Sequence, residues 1–294
     1  MPAAPRPPPE VEITLGLVRA LLAEQHPDLA DRPLAIADEG WDNVVVRIGD
    51  DLVARLPRRA VAVDLLRNEM RALPSLAPGL PLETSLPVRV GRPGPGYPWP
   101  WAIVRWFDGD TALRTPPTDP VATAEVLGRF VAALHQPAPD DAPHNPVRGV
   151  GLDVCDPRVR ERVEAVGDAV DGAAVLATWD ELRATPSWAG PALWLHGDLH
   201  PGNLIVRHGV VVAAIDWGDV TAGDPASDLA VAWMLFDEEA RPVFVDATGH
   251  DDEALWRRAR AWALHLGLAI LAASADTPEY SRLAHATLAR ALTP

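Results

Sequence analysis

The residues best suited to chemistry are grouped in the segment LHGDLHPGN, which spans residues 195–203. Within it Asp198 precedes Asn203 by five residues, in a loop that leads into an apolar run. Such a carboxylate can accept a proton from an attacking hydroxyl, and an asparagine can offer a neutral oxygen to Mg²⁺. Asp216 follows Asn203 by thirteen residues, at the end of a second apolar run, where it can hold Mg²⁺ against nucleotide phosphates. Asp, Asn and Gly are also common in turns, but their combination at this spacing favours a catalytic site.

Two other kinds of site are disfavoured by the local sequence. His196 and His200 stand four residues apart, as the histidines of a helical zinc motif do, but Gly197 and Pro201 oppose a helix here. The glycine-rich segment 91–96 has no helix-forming sequence after it, so it is interpreted as a turn rather than a dinucleotide-binding loop. The chemistry expected is therefore that of a carboxylate base with Mg²⁺.

The elements that must position these residues change in type along the chain. Up to about residue 107, short β-type runs alternate with two amphipathic helices, and Gly49 begins a tight hairpin between two of the runs. After Gly109 the sequence is mostly helical, apart from two short strands beside the polar segments. The predicted elements are helices at 11–26, 63–73 (ended by Pro74), 121–135 and two within 158–183, strands at 43–48, 52–56, 88–90, 101–107, 204–206 and 210–215, and only helices beyond residue 224.

This order predicts an α+β fold with two lobes. We expect residues 1–10 to form a proline-rich disordered tail, residues 11–106 a small β-rich N-terminal lobe, and residues 107–294 a larger, mainly helical C-terminal lobe. Clefts between two lobes are favoured ligand sites, so a site is expected beside the connection near residues 107–109.

The composition limits the classes of ligand and the location. The 294 residues include 26 arginines, no lysine and 41 acidic residues, for a net charge of −15. This balance argues against nucleic-acid binding and is compatible with a cationic small molecule. The single cysteine, Cys155, excludes an internal disulfide and suits a reducing cytoplasm, and no apolar run reaches the ~20 residues that span a membrane. Because lysine is absent, any task that usually needs lysine must fall to another residue type.

The polar segments resemble those of the aminoglycoside phosphotransferase family, whose fold is similar to that of protein kinases. The resemblance covers about residues 34–235 and implies a protein-kinase-like fold with an N-terminal nucleotide-binding lobe and a C-terminal lobe that holds the catalytic and acceptor-binding residues. The segments that carry it are HGDLHPGN at 196–203, IDWGD at 215–219, GWDN at 40–43, LVARLPRR at 52–59 and YPWPWAIVRW at 97–106.

The resemblance also implies roles for individual residues. Asp198 matches the catalytic base, and Asn203 and Asp216 match the metal ligands. Arg55 stands where most kinases carry a phosphate-binding lysine, and Glu69, fourteen residues later, matches the glutamate that pairs with it. Arginine keeps its charge when buried and suits phosphate oxygens, so its presence is compatible with activity.

Three further residues are implied to bind the nucleotide. Arg105 and Phe107 match the hinge, whose backbone groups pair with the edge of the nucleobase. The glycine-rich loop of kinases is reduced to Gly40, followed by Trp41, Asp42 and Asn43. Asn43 and its neighbours are therefore expected over the triphosphate.

The implied activity is Mg²⁺-dependent transfer of the γ-phosphate of ATP or GTP to a hydroxyl of an antibiotic-like acceptor. The acidic charge favours an aminoglycoside, and a macrolide or another hydroxylated metabolite is the alternative. A nucleotide-binding pseudokinase is disfavoured because Asp198, Asn203 and Asp216 are all present. A protein kinase is disfavoured because Ala226 follows Asp216 by ten residues, which leaves no long activation segment. We expect a cytoplasmic monomer or weak dimer.

Overall fold

The N-terminal part of the chain is built on an antiparallel sheet. The structure, a computed structural model, describes residues 8–40, 42–273 and 277–293, so most of the expected tail and Trp41 lie outside the described residues. The N-terminal elements are α1 (Leu15–Gln25), β1 (Leu34–Glu39), β2 (Asn43–Ile48), β3 (Leu52–Pro57), α2 (Val61–Leu76), β4 (Glu83–Thr84), β5 (Arg89–Gly91) and β6 (Trp101–Arg105). Five of the strands form one sheet in the order β1-β2-β3-β6-β5.

This sheet forms a core with α1 because apolar side chains alternate along its strands. In β2, Val44, Val46 and Ile48 are buried, whereas the residues between them are partly exposed. They belong to the same hydrophobic cluster as Leu22 of α1. β3 is bonded to β2 on one side and to β6 on the other, and it is buried along most of its length. This central position removes Arg55 from solvent.

The predicted hairpin between β2 and β3 is confirmed, and the predicted end of α2 is wrong. Gly49 has φ +63°, a conformation that glycine adopts without strain in a tight turn. α2 continues past Pro74, which lies in its last turn, and the N–H of Ala77 still bonds to the carbonyl of Leu73. A proline has no N–H to donate and crowds the preceding turn of a helix. Because Pro74 lies in the last turn of α2, only one helical hydrogen bond is lost.

The C-terminal part is mainly helical and holds the larger hydrophobic core. In it α9 (Glu253–Ala273) packs against five other helices of this part. A β-rich part followed by a helical part confirms the predicted α+β fold. Each helix among the described residues is too short or too polar to cross a membrane. The C-terminal elements are β7 (Asp110–Thr111), α3 (Pro120–Leu134), α4 (Leu152–Val166), α5 (Gly172–Arg183), β8 (Leu193–Leu195), β9 (Leu204–Arg207), β10 (Val210–Ala214), β11 (Thr221–Gly223), α6 (Ala226–Leu229), α7 (Val231–Leu235), α8 (Ala240–Thr248), α9 (Glu253–Ala273) and α10 (Pro278–Leu292).

Two predicted strands, β9 and β10, and four short strands that the sequence did not predict hold the polar loops in place. β4, β10, β9 and β7 form a four-stranded sheet in that order, and β8 pairs with β11. β8 ends at Leu195, directly before the loop that contains Asp198, and β4 joins the N-terminal part to the strand before Asp216. Strands of two or three residues show too little alternation to be recognised from sequence.

Candidate active site

A buried ion pair joins β3 to α2. Nη1 of Arg55 lies 2.5 and 2.6 Å from the two carboxylate oxygens of Glu69, whose side chain is fully buried. The hydroxyl of Ser85 donates to Oε1 of Glu69 at 3.0 Å. Burial lowers the pKa of Arg55, but Glu69 and Asp216 more than offset this and raise it above its ordinary value. The guanidinium is therefore a fixed positive charge in the N-terminal part.

The same guanidinium also contacts the C-terminal part. Nη2 of Arg55 donates to Oδ1 of Asp216 at 3.0 Å. Asp216 follows β10 with φ +61°, a left-handed conformation that aspartate tolerates better than most residues. The Asp216 side chain is 56% exposed, against 9% for Arg55, so Asp216 remains open to a ligand. Arg55 thus holds one carboxylate from each part of the chain.

Asp198 lies in a cluster of polar groups. Its Oδ1 accepts a hydrogen bond from Nη2 of Arg148 at 2.7 Å, and its Oδ2 lies 3.2 Å from Nδ2 of Asn203 and 3.4 Å from Nε2 of His200. Burial raises the pKa of this carboxyl, but Arg148 and His200 more than offset the effect and hold the pKa well below its usual range. Asp198 is therefore ionised at neutral pH, as a proton acceptor must be.

The backbone of this loop is fixed by Asp228 of α6. The fully buried carboxylate of Asp228 accepts hydrogen bonds from the N–H groups of His196 and Gly197, at 2.7 and 2.9 Å. Gly197 has φ +84°, and a Cβ there would lie 2.1 Å from the carbonyl oxygen of Asp219. Because only glycine fits this approach, the loop takes one path and delivers Asp198 to one place.

Asn203 and Asp216 are brought side by side by the β9–β10 hairpin. β9 begins directly after Asn203, β10 ends two residues before Asp216, and the N–H of Ile215 bonds to the carbonyl of Asn203 at 2.9 Å. Nδ2 of Asn203 donates to Asp198, and its Oδ1 bonds to no described residue. An amide oxygen beside a half-exposed carboxylate fits Mg²⁺, which takes its other ligands from phosphates and water. Within the described residues, no group of three or more His, Cys, Asp or Glu side chains could hold a metal ion.

The remaining predicted residues lie on the N-terminal sheet and at its exit. Asn43 begins β2, its carbonyl accepts from the N–H of Gly40 at 2.9 Å, and its buried side-chain oxygen has no partner in the described part of the chain. Arg105 ends β6 and is exposed, with its guanidinium 3.8 Å from Glu83. Phe107 is half-buried where the chain leaves the sheet. Among the described residues, these three form no hydrogen bond with Asp198 or Asp216, so their nucleotide-binding roles stay predictions.

Sequence reasoning missed Arg148, which precedes Asp198 by 50 residues. Its Nε lies 3.8 Å from Oδ2 of Asp219, and Nδ2 of Asn145 donates to Oδ1 of the same carboxylate at 2.7 Å. The loop that carries both residues is bonded to β11, because the N–H of Asn145 donates to Oγ1 of Thr221. The available signal was an arginine in the segment PVRG, residues 146–149, in a stretch without helix or strand periodicity.

Two comparisons of the sequence found a match. The model of the phosphotransferase enzyme family, APH, matches residues 34–262, well over half of the chain. The uncharacterized protein YcbJ of Bacillus subtilis (strain 168) is 34% identical over 53 residues, which are 18% of this chain and 17% of that relative. The chain therefore matches less than a fifth of this relative's length, and the conclusion rests on the family model.

Similar folds occur among solved structures of antibiotic phosphotransferases. The GDP complex of aminoglycoside 2′-phosphotransferase-IIIa has a TM-score of 0.70 and 19% identity, with 95% of this chain and 99% of that chain covered. Macrolide 2′-phosphotransferase MphH from Brachybacterium faecium has a TM-score of 0.66 and 23% identity, with 93% and 98% covered. The streptomycin–ATP–APH(2″)-IIa ternary complex has a TM-score of 0.61 and 15% identity, with 89% and 91% covered. At these identities the likeness establishes the fold, which confirms the predicted architecture.

Proposed function

The chain belongs to the phosphotransferase enzyme family, and on this premise we propose that it transfers the γ-phosphate of ATP or GTP to a hydroxyl of a small acceptor. The observation that carries the proposal is the position of Arg55, which bonds to Glu69 on one side and to Asp216 on the other. A charged guanidinium beside a half-exposed carboxylate is suited to binding the phosphates of a nucleotide. Its fork can contact two phosphate oxygens while Glu69 fixes its orientation.

Asp198 is proposed to align the acceptor hydroxyl and to accept its proton. Each carboxylate oxygen can accept two hydrogen bonds, so the contacts with Arg148, Asn203 and His200 leave capacity for the substrate. Phosphoryl transfer depends mainly on positioning and on electrostatic stabilisation. A carboxylate held by three neighbours supplies the positioning, because little rotational freedom remains to be lost when the acceptor binds.

The proposed metal site consists of Asn203 and Asp216. The Oδ1 atom of Asp216 is bonded to Arg55, which leaves its Oδ2 for a ligand, and Oδ1 of Asn203 makes no other bond among the described residues. When bound, Mg²⁺ would neutralise charge on the nucleotide phosphates. The hinge contacts of Arg105 and Phe107 with the nucleobase, and the position of Asn43 over the triphosphate, are parts of the same proposal.

An aminoglycoside is the proposed acceptor. The net charge of −15 attracts a polycation, and aminoglycoside phosphotransferases are among the proteins of similar fold. A macrolide or another hydroxylated metabolite is the second candidate, which the likeness to a macrolide 2′-phosphotransferase supports. We propose a cytoplasmic protein that is a monomer or weak dimer and binds neither nucleic acid nor membrane.

The activity can be tested by coupled assays of ADP and GDP release over a panel of aminoglycosides, macrolides and simple sugars. Asp198→Asn is the matched control, because it keeps the shape of the side chain and removes its charge. We expect turnover by the wild type with at least one acceptor and a fall of about 10²–10⁴-fold in the variant, with nucleotide binding retained. Nucleotide binding without release for any acceptor would instead favour a pseudokinase or an acceptor outside the panel.

Salt dependence separates the two acceptor classes. Exposed charges act over about 8–10 Å at physiological ionic strength, so KM for a polycationic aminoglycoside should rise clearly with added salt. KM for a macrolide, which carries at most one charge, should change little. Turnover confined to macrolides or small metabolites would contradict the aminoglycoside proposal and leave the phosphotransferase assignment intact.

A further inference from the structure

Two arginines of α4 form no ion pair with any described carboxylate. Arg158 and Arg162 are one helical turn apart and half-buried. Arg158 forms no hydrogen bond or ion pair with any described residue. Arg162 forms no ion pair with a described carboxylate; its Nη1 lies 3.3 and 3.4 Å from the two ring nitrogens of His265 on α9 and donates to the carbonyl of that residue at 3.4 Å.

Two carboxylates of α4 are engaged by other arginines. Asp156 pairs with Arg160, with 3.1 Å between Oδ1 and Nε, and Asp153 accepts a hydrogen bond from Arg183 of α5 at 2.8 Å. These contacts lie on the side of α4 that faces α5. The chain has 41 acidic residues, so the absence of an ion pair on the other side does not reflect a shortage of carboxylates. Arg158 and Arg162 therefore form a local positive patch in an acidic protein.

His265 does not compensate this patch, and Arg148 adds to it. Burial and the neighbouring charges of Arg162, Arg148 and Arg158 lower the pKa of His265 to about 3, so the imidazole is neutral at physiological pH. Burial also lowers the pKa of Arg162, and Arg148 and Arg158 lower it further by like-charge repulsion. Arg148, which contributes to both of these pKa shifts, donates from its Nη2 to Asp198. Glu161, which precedes Arg162 in the sequence, is exposed and forms no ion pair. Its negative charge acts against the neighbouring arginines and raises the pKa of Arg162.

We propose that Arg158 and Arg162 of α4 form a binding site for an oxyanion, a phosphate or carboxylate group. Partly buried charges are costly unless they are paired, and two neighbouring guanidiniums offer up to ten N–H donors to an oxyanion. The oxyanion is either free in solution or a group carried by the acceptor. Both sources require the same two arginines, and they differ in how the anion affects turnover.

The direct test is calorimetric titration with inorganic phosphate, and with malonate as the carboxylate probe. Mg²⁺ and a non-hydrolysable triphosphate analogue are kept saturating, so that phosphate cannot occupy the nucleotide site. We expect saturable binding to the wild type, and about tenfold or greater weakening in Arg158→Gln and in Arg162→Gln. Arg207→Gln is the matched control, since Arg207 is an exposed arginine on β9, and it should bind as the wild type does.

Thermal unfolding separates anion binding from a purely structural role of the two arginines. The two roles predict opposite changes in the unfolding midpoint when one arginine is replaced. Without phosphate, removal of one charge from the patch relieves repulsion, so the midpoint for Arg158→Gln should equal or exceed that of the wild type. Phosphate should then raise the midpoint of the wild type more than that of either variant. A lower phosphate-free midpoint with phosphate binding unchanged would overturn the proposal. It would also be overturned if neither probe bound saturably, or if binding persisted in both variants.

Kinetics distinguish the two sources of the anion. Turnover of sugar phosphates or hydroxy acids, with KM raised in Arg158→Gln, would show that the acceptor carries the group. An effect of phosphate on turnover of a neutral or cationic acceptor, without competition against it, would show a free anion. The titration needs no turnover, so failure of the proposed phosphotransferase activity and failure of this site are separate outcomes.

Discussion

Arg148 donates a hydrogen bond of 2.7 Å to the carboxylate of Asp198, although it belongs to a loop 50 residues earlier in the chain. The same guanidinium has its Nε 3.8 Å from Asp219, whose other oxygen is bonded to Asn145. This loop is therefore part of the arrangement around Asp198. Asp198 accepts a hydrogen bond from an arginine on Oδ1 and from Asn203 on Oδ2, so the position of its carboxylate depends on two separate segments.

Replacing Arg148 should impair turnover more than nucleotide binding. Arg148→Ala removes a charge-assisted bond to a partly exposed carboxylate, and such a loss costs about 1.5–3 kcal/mol, or roughly 10–10²-fold in rate. We expect kcat to fall while KM for the nucleotide changes little, because Arg148 contacts Asp198 rather than Arg55. Arg148→Lys, which keeps a point charge, should recover part of the rate. Equal values of kcat for the wild type and Arg148→Ala would contradict this role.

Asp216→Ala should remove the metal dependence of nucleotide binding. The substitution deletes the half-exposed carboxylate and leaves Arg55 paired with Glu69, so the nucleotide retains its arginine contact. Titration of the nucleotide with and without Mg²⁺ is the measurement. In the wild type we expect Mg²⁺ to strengthen binding, and in the variant it should have little effect. The metal would have to lie elsewhere if both proteins responded to Mg²⁺ equally.

Arg55→Lys should be milder than Arg55→Ala. Lysine keeps a charge but has no planar fork, so it cannot contact Glu69 and Asp216 through separate nitrogens in the same way. Arg55→Ala also leaves Glu69 buried without its cation, which should lower the stability of the fold. We expect a higher KM for the nucleotide in both variants, with circular dichroism as the check on folding. Equal and mild effects would point to Arg58 or Arg59 as the phosphate contact.

His265 should make the fold sensitive to acid. The pKa of His265 in the folded protein is about 3, lowered by burial and by Arg162, Arg148 and Arg158, whereas its ordinary value is 6.5. Between these values the unfolded chain binds a proton that the folded chain does not. The contribution of His265 to stability is therefore complete above pH 6.5 and is lost as the pH falls toward 3.

His265→Leu should flatten this dependence. As the pH falls from 6.5 toward 3, the free energy of unfolding of the wild type should decrease more steeply than that of the variant. The two slopes should differ by at most about 1.4 kcal/mol per pH unit, which corresponds to one proton. Urea unfolding at several pH values measures both slopes, and the slopes rather than the absolute stabilities are compared. His285→Leu, which removes an exposed histidine of α10, is the control. Parallel curves for wild type and His265→Leu would contradict the assignment.

The parts of the fold that were predicted correctly are those with a local signal. The alternation in β2, the glycine turn before β3 and the apolar runs before Asp216 each reflect short-range sequence. The segment HGDLHPGN also needed no tertiary information, because Asp198 and Asn203 lie in one loop. The family resemblance supplied the pairing of Arg55 with Glu69, which periodicity alone does not reveal.

What could not be predicted depends on contacts between distant segments. Nothing local indicates that Arg148 reaches Asp198, or that the two-residue strand β4 pairs with β10. α4 begins at Leu152, before the predicted 158, because the local pattern there is weak and the helix is held by packing against α9. The end of α2 was missed for another reason: a proline in a last turn removes one bond, which packing of the helix can offset.

The contact of Arg55 with Asp216 has a consequence for how a nucleotide enters. The Arg55 guanidinium is buried in the folded protein and has little contact with water. Asp216, from the C-terminal part of the chain, serves as one of its counter-ions. Under the proposed function, an arriving phosphate would exchange places with a carboxylate oxygen instead of meeting a fully hydrated cation. Asp216 would become available for metal binding as Arg55 turned to the phosphate. Capture of the nucleotide and assembly of the metal site would then be a single coupled event.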